Sequence, residues 1–166
     1  WNDDNDDRWG EVEEADLVPD IHVGRVCADN ATEAQRYVTK LLRYERQPVV
    51  DEVESASFYG EYLWDQTWGG MYMEEIRLGA DTWGYTTAGV PLDWDTATYY
   101  EMGGGSWSGS DYINEMSTGC HMAHHLGHSN SGFNCKVYTS NVPDFTANGI
   151  DHTYNFGYSQ GCHAGE

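Results

Sequence analysis

His121-Met122-Ala123-His124-His125-Leu126-Gly127-His128-Ser129-Asn130 reads as a short strand running into a turn of small residues. Thr153 to Ser159 reads the same way and runs into Gln160-Gly161-Cys162-His163-Ala164-Gly165. Upstream, the hydrophobic period changes with each segment. Ile21 to Val26 has the β-branched alternation of a strand. From Asn30, the residues Ala34, Tyr37, Val38, Leu41, Leu42 and Glu45 recur at threes and fours, which predicts an amphipathic helix capped by Asn30 or Thr32 and closing near Gln47-Pro48. Further strands are expected at Ser57 to Gly60 and Tyr85 to Val90, and helices at Met71 to Leu78 and Asp111 to Met116. Gly103-Gly104-Gly105 is expected as a loop, and the acidic stretch Trp1 to Asp16 as another. Strand and helix alternate, so the expected class is α/β with a mostly parallel sheet covered by helices. Reactive groups in such sheets gather at the carboxyl ends of strands, where both quoted turns lie.

Composition sets the outer limits. A chain of 166 residues, 39% hydrophobic and 14% aromatic, supports one core and one domain. Twenty-eight acidic against 8 basic residues give a net charge of -20, which repels phosphate backbones and anionic lipid and so argues against nucleic acid and membrane-surface partners. No apolar run of about 18 residues is present to span a membrane, and no basic, then apolar, leader opens the chain. The acidic excess suits a salty or calcium-rich exterior. Asn2-Asp3-Asp4-Asn5-Asp6-Asp7 offers oxygens to calcium as a structural ion but lacks regular ligand spacing, so a solvated loop is the plainer reading. The Asn30-Ala31-Thr32 sequon and four cysteines fit an extracellular or cell-surface protein, with Cys120 and Cys135 as the expected disulfide.

The two turns carry the chemistry. A thiol attacks a peptide carbonyl as its thiolate, so an imidazole must take the proton and later return one to the leaving amine. His128 and Cys162, on two strand ends, meet that need, and the adjacent Gly127 and Gly161 permit tight turns that expose the groups.

His125-Leu126-Gly127-His128-Ser129-Asn130 and Tyr158-Ser159-Gln160-Gly161-Cys162-His163-Ala164-Gly165 resemble the two catalytic blocks of gingipain-type cysteine peptidases, and the spacing from residue 128 to residue 162 is also similar. Asp16 to Val26, Tyr44-Glu45-Arg46, Gly60-Glu61 and Thr67-Trp68-Gly69-Gly70 follow in the family's order, so the resemblance covers nearly the whole chain. It implies a caspase-like three-layer α/β/α sandwich and a cysteine endopeptidase. Cys162 would be the nucleophile and His128 the general base and acid. The backbone N–H groups of Cys162 and Ser129 would form the oxyanion hole, and Glu61 would orient the histidine. No cofactor is needed for that chemistry. Relatives that cleave after Arg or Lys carry an acidic residue just after the position of Gly69-Gly70; here Met71 stands there, with Glu74 and Glu75 further on. Family catalytic domains also extend upstream and past the nucleophile. The expectation is therefore a partial catalytic domain, partnered by other chains or by the rest of its own polypeptide.

Two other readings compete. His121, His124, His125 and His128 suggest zinc, but on a strand they project to different faces and no HExxH helix is present. A catalytically silent, calcium-stabilised peptidase-like domain serving in surface assembly is the second.

Overall fold

The computed structural model describes residues 5–9, 24–82 and 84–164. The chain divides into two compact units, residues 1–37 and 38–166, with the boundary inside a helix, α1, Ala31–Arg46. Asn30 caps it as its chemistry dictates, with Oδ1 accepting from the N–H groups of Thr32 (3.0 Å) and Glu33 (3.1 Å). Glu33 reaches back to accept from the Asp29 N–H at 2.8 Å. Of the strand expected at Ile21 to Val26, the first three residues lie outside the described ones. Gly24 to Val26 are exposed and unpaired. Most of the acidic stretch Trp1 to Asp16 likewise lies outside the described residues.

The second unit is built on four strands: β1, Ser55–Gly60; β2, Asp95–Tyr100; β3, Met122–Leu126; and β4, Phe156–Ser159. They lie in the order β4-β3-β1-β2, and every neighbouring pair is parallel. β1 is central, and Ala56 to Gly60 are all buried, as expected of a strand covered on both faces. Alternation splits its side chains between two cores. Ala56 and Phe58 pack with Met73 of α2, Gly69–Leu78, on one face. On the other, Tyr59 joins Trp107, Ala123 and Met116 of α3, Gly109–Ser117. The Tyr59 ring lies 4.8 to 5.0 Å from Tyr99, Trp107 and Tyr112, so much of the aromatic content is core packing. Helices on both faces of a parallel sheet make the caspase-like α/β/α sandwich.

Two expectations need correction. Of Tyr85 to Val90, only Tyr85–Thr86 forms a strand, in a small hairpin with Asp81–Thr82. The strand that enters the sheet is β2, whose Asp-Thr-Ala-Thr-Tyr-Tyr has equal β-forming content but pairs in register with β1. The expected disulfide is also absent. Cys120 and Cys135 are free, buried thiols, each with its own partner: Ser57 Oγ at 3.0 Å for Cys120, and Asn134 Oδ1 at 3.6 Å for Cys135. β4 is an edge strand, with Phe156 and Tyr158 more than half exposed.

Candidate active site

At the carboxyl ends of β1, β3 and β4 the chain turns out of the sheet and places Glu61, His128 and Cys162 on three neighbouring loops. His128 and Cys162 are both exposed. They are joined through Ser129, whose Oγ donates to the Cys162 carbonyl, rather than by a bond between the two side chains. The two turns also touch at Gly161, where an added Cβ would come within 2.7 Å of Ser129 Cβ and 3.4 Å of the Ser129 backbone nitrogen. That contact sets the backbone of Ser129, one of the expected oxyanion donors, beside the turn that carries Cys162.

Glu61 takes a different partner from the expected one. Its Oε1 accepts from His125 Nε2 at 2.9 Å, and both side chains are buried. The network continues sideways across the sheet. Ser159 Oγ donates to Asn134 Oδ1 (2.8 Å) and lies in hydrogen-bond contact with His125 Nδ1 (2.8 Å). Glu61, His125 and Ser159 thus tie the ends of three adjacent strands together beneath the loops. Gly127 is what leaves room for this pair. A Cβ there would stand 2.5 Å from both Glu61 Cδ and His125 Nε2.

The orientation of His128 falls to backbone instead. Its Nε2–H donates to the Tyr62 carbonyl at 2.9 Å, which fixes the tautomer and leaves Nδ1 with its lone pair free to take a proton. Sequence reading had no means of finding this contact, since a carbonyl carries no residue signature. It also missed Glu101, just past β2, whose Oε2 accepts from the Tyr62 N–H at 2.6 Å and whose other oxygen pairs with Lys136. Burial pushes the Glu101 carboxyl up. The hydrogen bonds from Lys136 and the Tyr62 N–H, with the charge of Lys136 and the electrostatic influence of the nearby His128 ring, outweigh it, so the group lies below the usual carboxylate range.

A cavity of about 670 Å³ opens between the roots of the two loops, where Leu126 and Gln160 each stand two residues before His128 and Cys162. Its walls are mostly apolar, with Leu63, Trp64, Tyr72 and Ile76 contributing, and Glu75 is the one carboxylate that lines it among the described residues. Glu74 does not line it; it is held by Arg77 and by the Tyr100 hydroxyl at 2.8 Å, and Met71 is exposed.

The four clustered histidines occupy four environments. His121 bonds Tyr44 Oη (2.7 Å) and the Val53 carbonyl (2.8 Å), His124 stands edge-on to the Tyr158 ring, and His125 and His128 are engaged as described. Among the described residues no group of three or more His, Cys, Asp or Glu is placed to hold a metal, and no helix is long and apolar enough to cross a membrane.

A parallel caspase-like sandwich with histidine and cysteine on adjoining strand-end loops defines the class of protein. The family model for peptidase family C25 matches residues 2–166, and the chain belongs to that family, the gingipain family of cysteine peptidases. It is a hydrolase of the cysteine-peptidase type, acting on protein or peptide substrates. Comparison with curated proteins and with solved structures finds no match in either.

Proposed function

We propose that the chain is the catalytic part of a cysteine endopeptidase that works through a dyad of Cys162 and His128. The carrying observation is the 2.9 Å contact of His128 Nε2 with the Tyr62 carbonyl: a carbonyl can only accept, so Nε2 carries the proton there and Nδ1 is the site that takes the thiol proton. The thiolate of Cys162 then attacks the scissile carbonyl carbon. The oxygen takes up negative charge against the backbone N–H groups of Cys162 and Ser129. His128 returns its proton to the leaving amine, and water, deprotonated by the same ring, releases the acyl group. Glu61 supports this at one remove, by fixing His125 and the strand ends. The apolar cavity beside the loops would take one substrate side chain.

The protein would act outside the cell or on its surface, where a net charge of -20 and calcium as a structural ion are compatible. Hydrolysis of casein by the purified chain tests the reading: Cys162→Ala and His128→Ala should each abolish it while the far-UV spectrum stays unchanged. Activity persisting in Cys162→Ala would overturn the assignment. A folded chain with no hydrolysis and an unreactive Cys162 would favour the silent assembly domain.

A further inference from the structure

Resting on that dyad, one acidic residue outside the expected set stands behind the general base. Tyr62 leaves β1 and presents its carbonyl to His128 Nε2 (2.9 Å) while its own N–H is held by Glu101 Oε2 (2.6 Å). Glu101 is itself fixed from two sides. Its N–H donates to the Gly60 carbonyl (3.0 Å), extending the β1–β2 pairing by one residue. Its second oxygen pairs with Lys136. Lys136 in turn donates to the Trp107 carbonyl (2.9 Å) and lies 4.4 Å over the Trp107 ring. The lysine is therefore held as well as charged.

We propose that Glu101 is the positioning residue for His128: its carboxylate anchors Tyr62, so that the same residue's carbonyl meets Nε2, and its negative charge favours the imidazolium formed when His128 Nδ1 takes the Cys162 proton. In that step the S–H bond breaks, an N–H bond forms, and one thiolate and one imidazolium appear together. The charged groups facing Glu101 are Lys136, from the hairpin Phe133 to Tyr138, and His128, from the loop after β3. Asp111, at the start of α3, also faces Lys136. Glu61, the acid the sequence pointed to, is occupied by His125 and acts on the strand ends.

The test is the rate at which iodoacetamide alkylates Cys162, followed by mass spectrometry from pH 5 to 10 in the whole chain. Glu101→Gln keeps an oxygen for the Tyr62 N–H but removes the charge. Its rate should fall about 10-fold at pH 6–7, the size of one unit of charge interaction, and return to that of the unsubstituted protein above about pH 9, where the thiol ionises unaided. Glu101→Asp should recover part of the loss. A merely structural role would lower the rate at every pH, and that result, or a Glu101→Gln profile superposing on the unsubstituted one, overturns the proposal. If the unsubstituted profile equals that of His128→Ala, the dyad itself fails and the proposal with it.

Discussion

Substituting Gly127 by Ala probes the packing under the loops that carry His128 and Cys162 at one atom. The added methyl would stand 2.5 Å from Glu61 Cδ and from His125 Nε2, so it enters the hydrogen bond that joins two buried side chains. Gly127 does not occupy the positive-φ region, so alanine's backbone preferences oppose nothing. Forcing a methyl into such a site costs about 1–3 kcal/mol. Losing a hydrogen bond to a charged group adds about 1.5–3 kcal/mol. Alanine returns about 0.4–1 kcal/mol by restricting the unfolded chain. The net loss is about 3 kcal/mol, which at about 2–4 °C per kcal/mol for a chain of this size lowers Tm by about 10 °C. Scanning calorimetry and urea titration would measure it in two backgrounds. In Glu61→Ala, where the carboxylate contact and its hydrogen bond are gone and only His125 Nε2 stands against the methyl, the same substitution should cost clearly less than in the unsubstituted chain. An unchanged Tm, or an equal cost in both backgrounds, refutes the placement of Glu61 and His125 beneath Gly127.

Burial and capping yield three further predictions. Burial pushes the Cys120 thiol up to about 11 and Cys135 up to about 12, whereas Cys27 and Cys162 are exposed, so brief iodoacetamide treatment at neutral pH should label only the latter two. Because the folded chain keeps those protons after the unfolded chain begins to lose them, near the ordinary thiol value of 9.0, this contribution to stability is complete below that pH and lost as pH rises toward 12. Urea midpoints between pH 8 and 11 would show the decline. Asn30→Ala removes the one oxygen that accepts from two N–H groups at the start of α1 and should cost about 1 kcal/mol of stability, read from the urea midpoint, with most of it restored by Asp.

What was legible in the sequence follows the range of the forces involved. α1, α2 and α3 were visible because helix periodicity is local, and for α1 so is the cap: Asn30 does its work within three residues. β3, β4 and their turns were visible because each ends in small residues at a strand terminus. β2 was not, since Tyr85-Thr86-Thr87 and Thr96-Ala97-Thr98 are equally good strand formers. Only pairing with β1, some 40 residues upstream, distinguishes them. The same limit divides the site. His128 and Cys162 were singled out from their own neighbours and a family resemblance. The choice of His125 over His128 as the partner of Glu61 depends on which face of β3 meets the end of β1, 64 residues away in sequence. Glu101 reaches His128 only through the backbone of Tyr62, which no residue pattern records.

The central claim is that His128 activates Cys162, and the molecule carries its own control in Cys27, which is equally free and exposed. The deciding measurement is the ratio of iodoacetamide alkylation rates of these two thiols at pH 7 in one sample, resolved by peptide mass. Cys162 should react at least about 10-fold faster than Cys27, and the advantage should vanish in His128→Ala. Equal rates in the unsubstituted protein, or an advantage that survives His128→Ala, would contradict it.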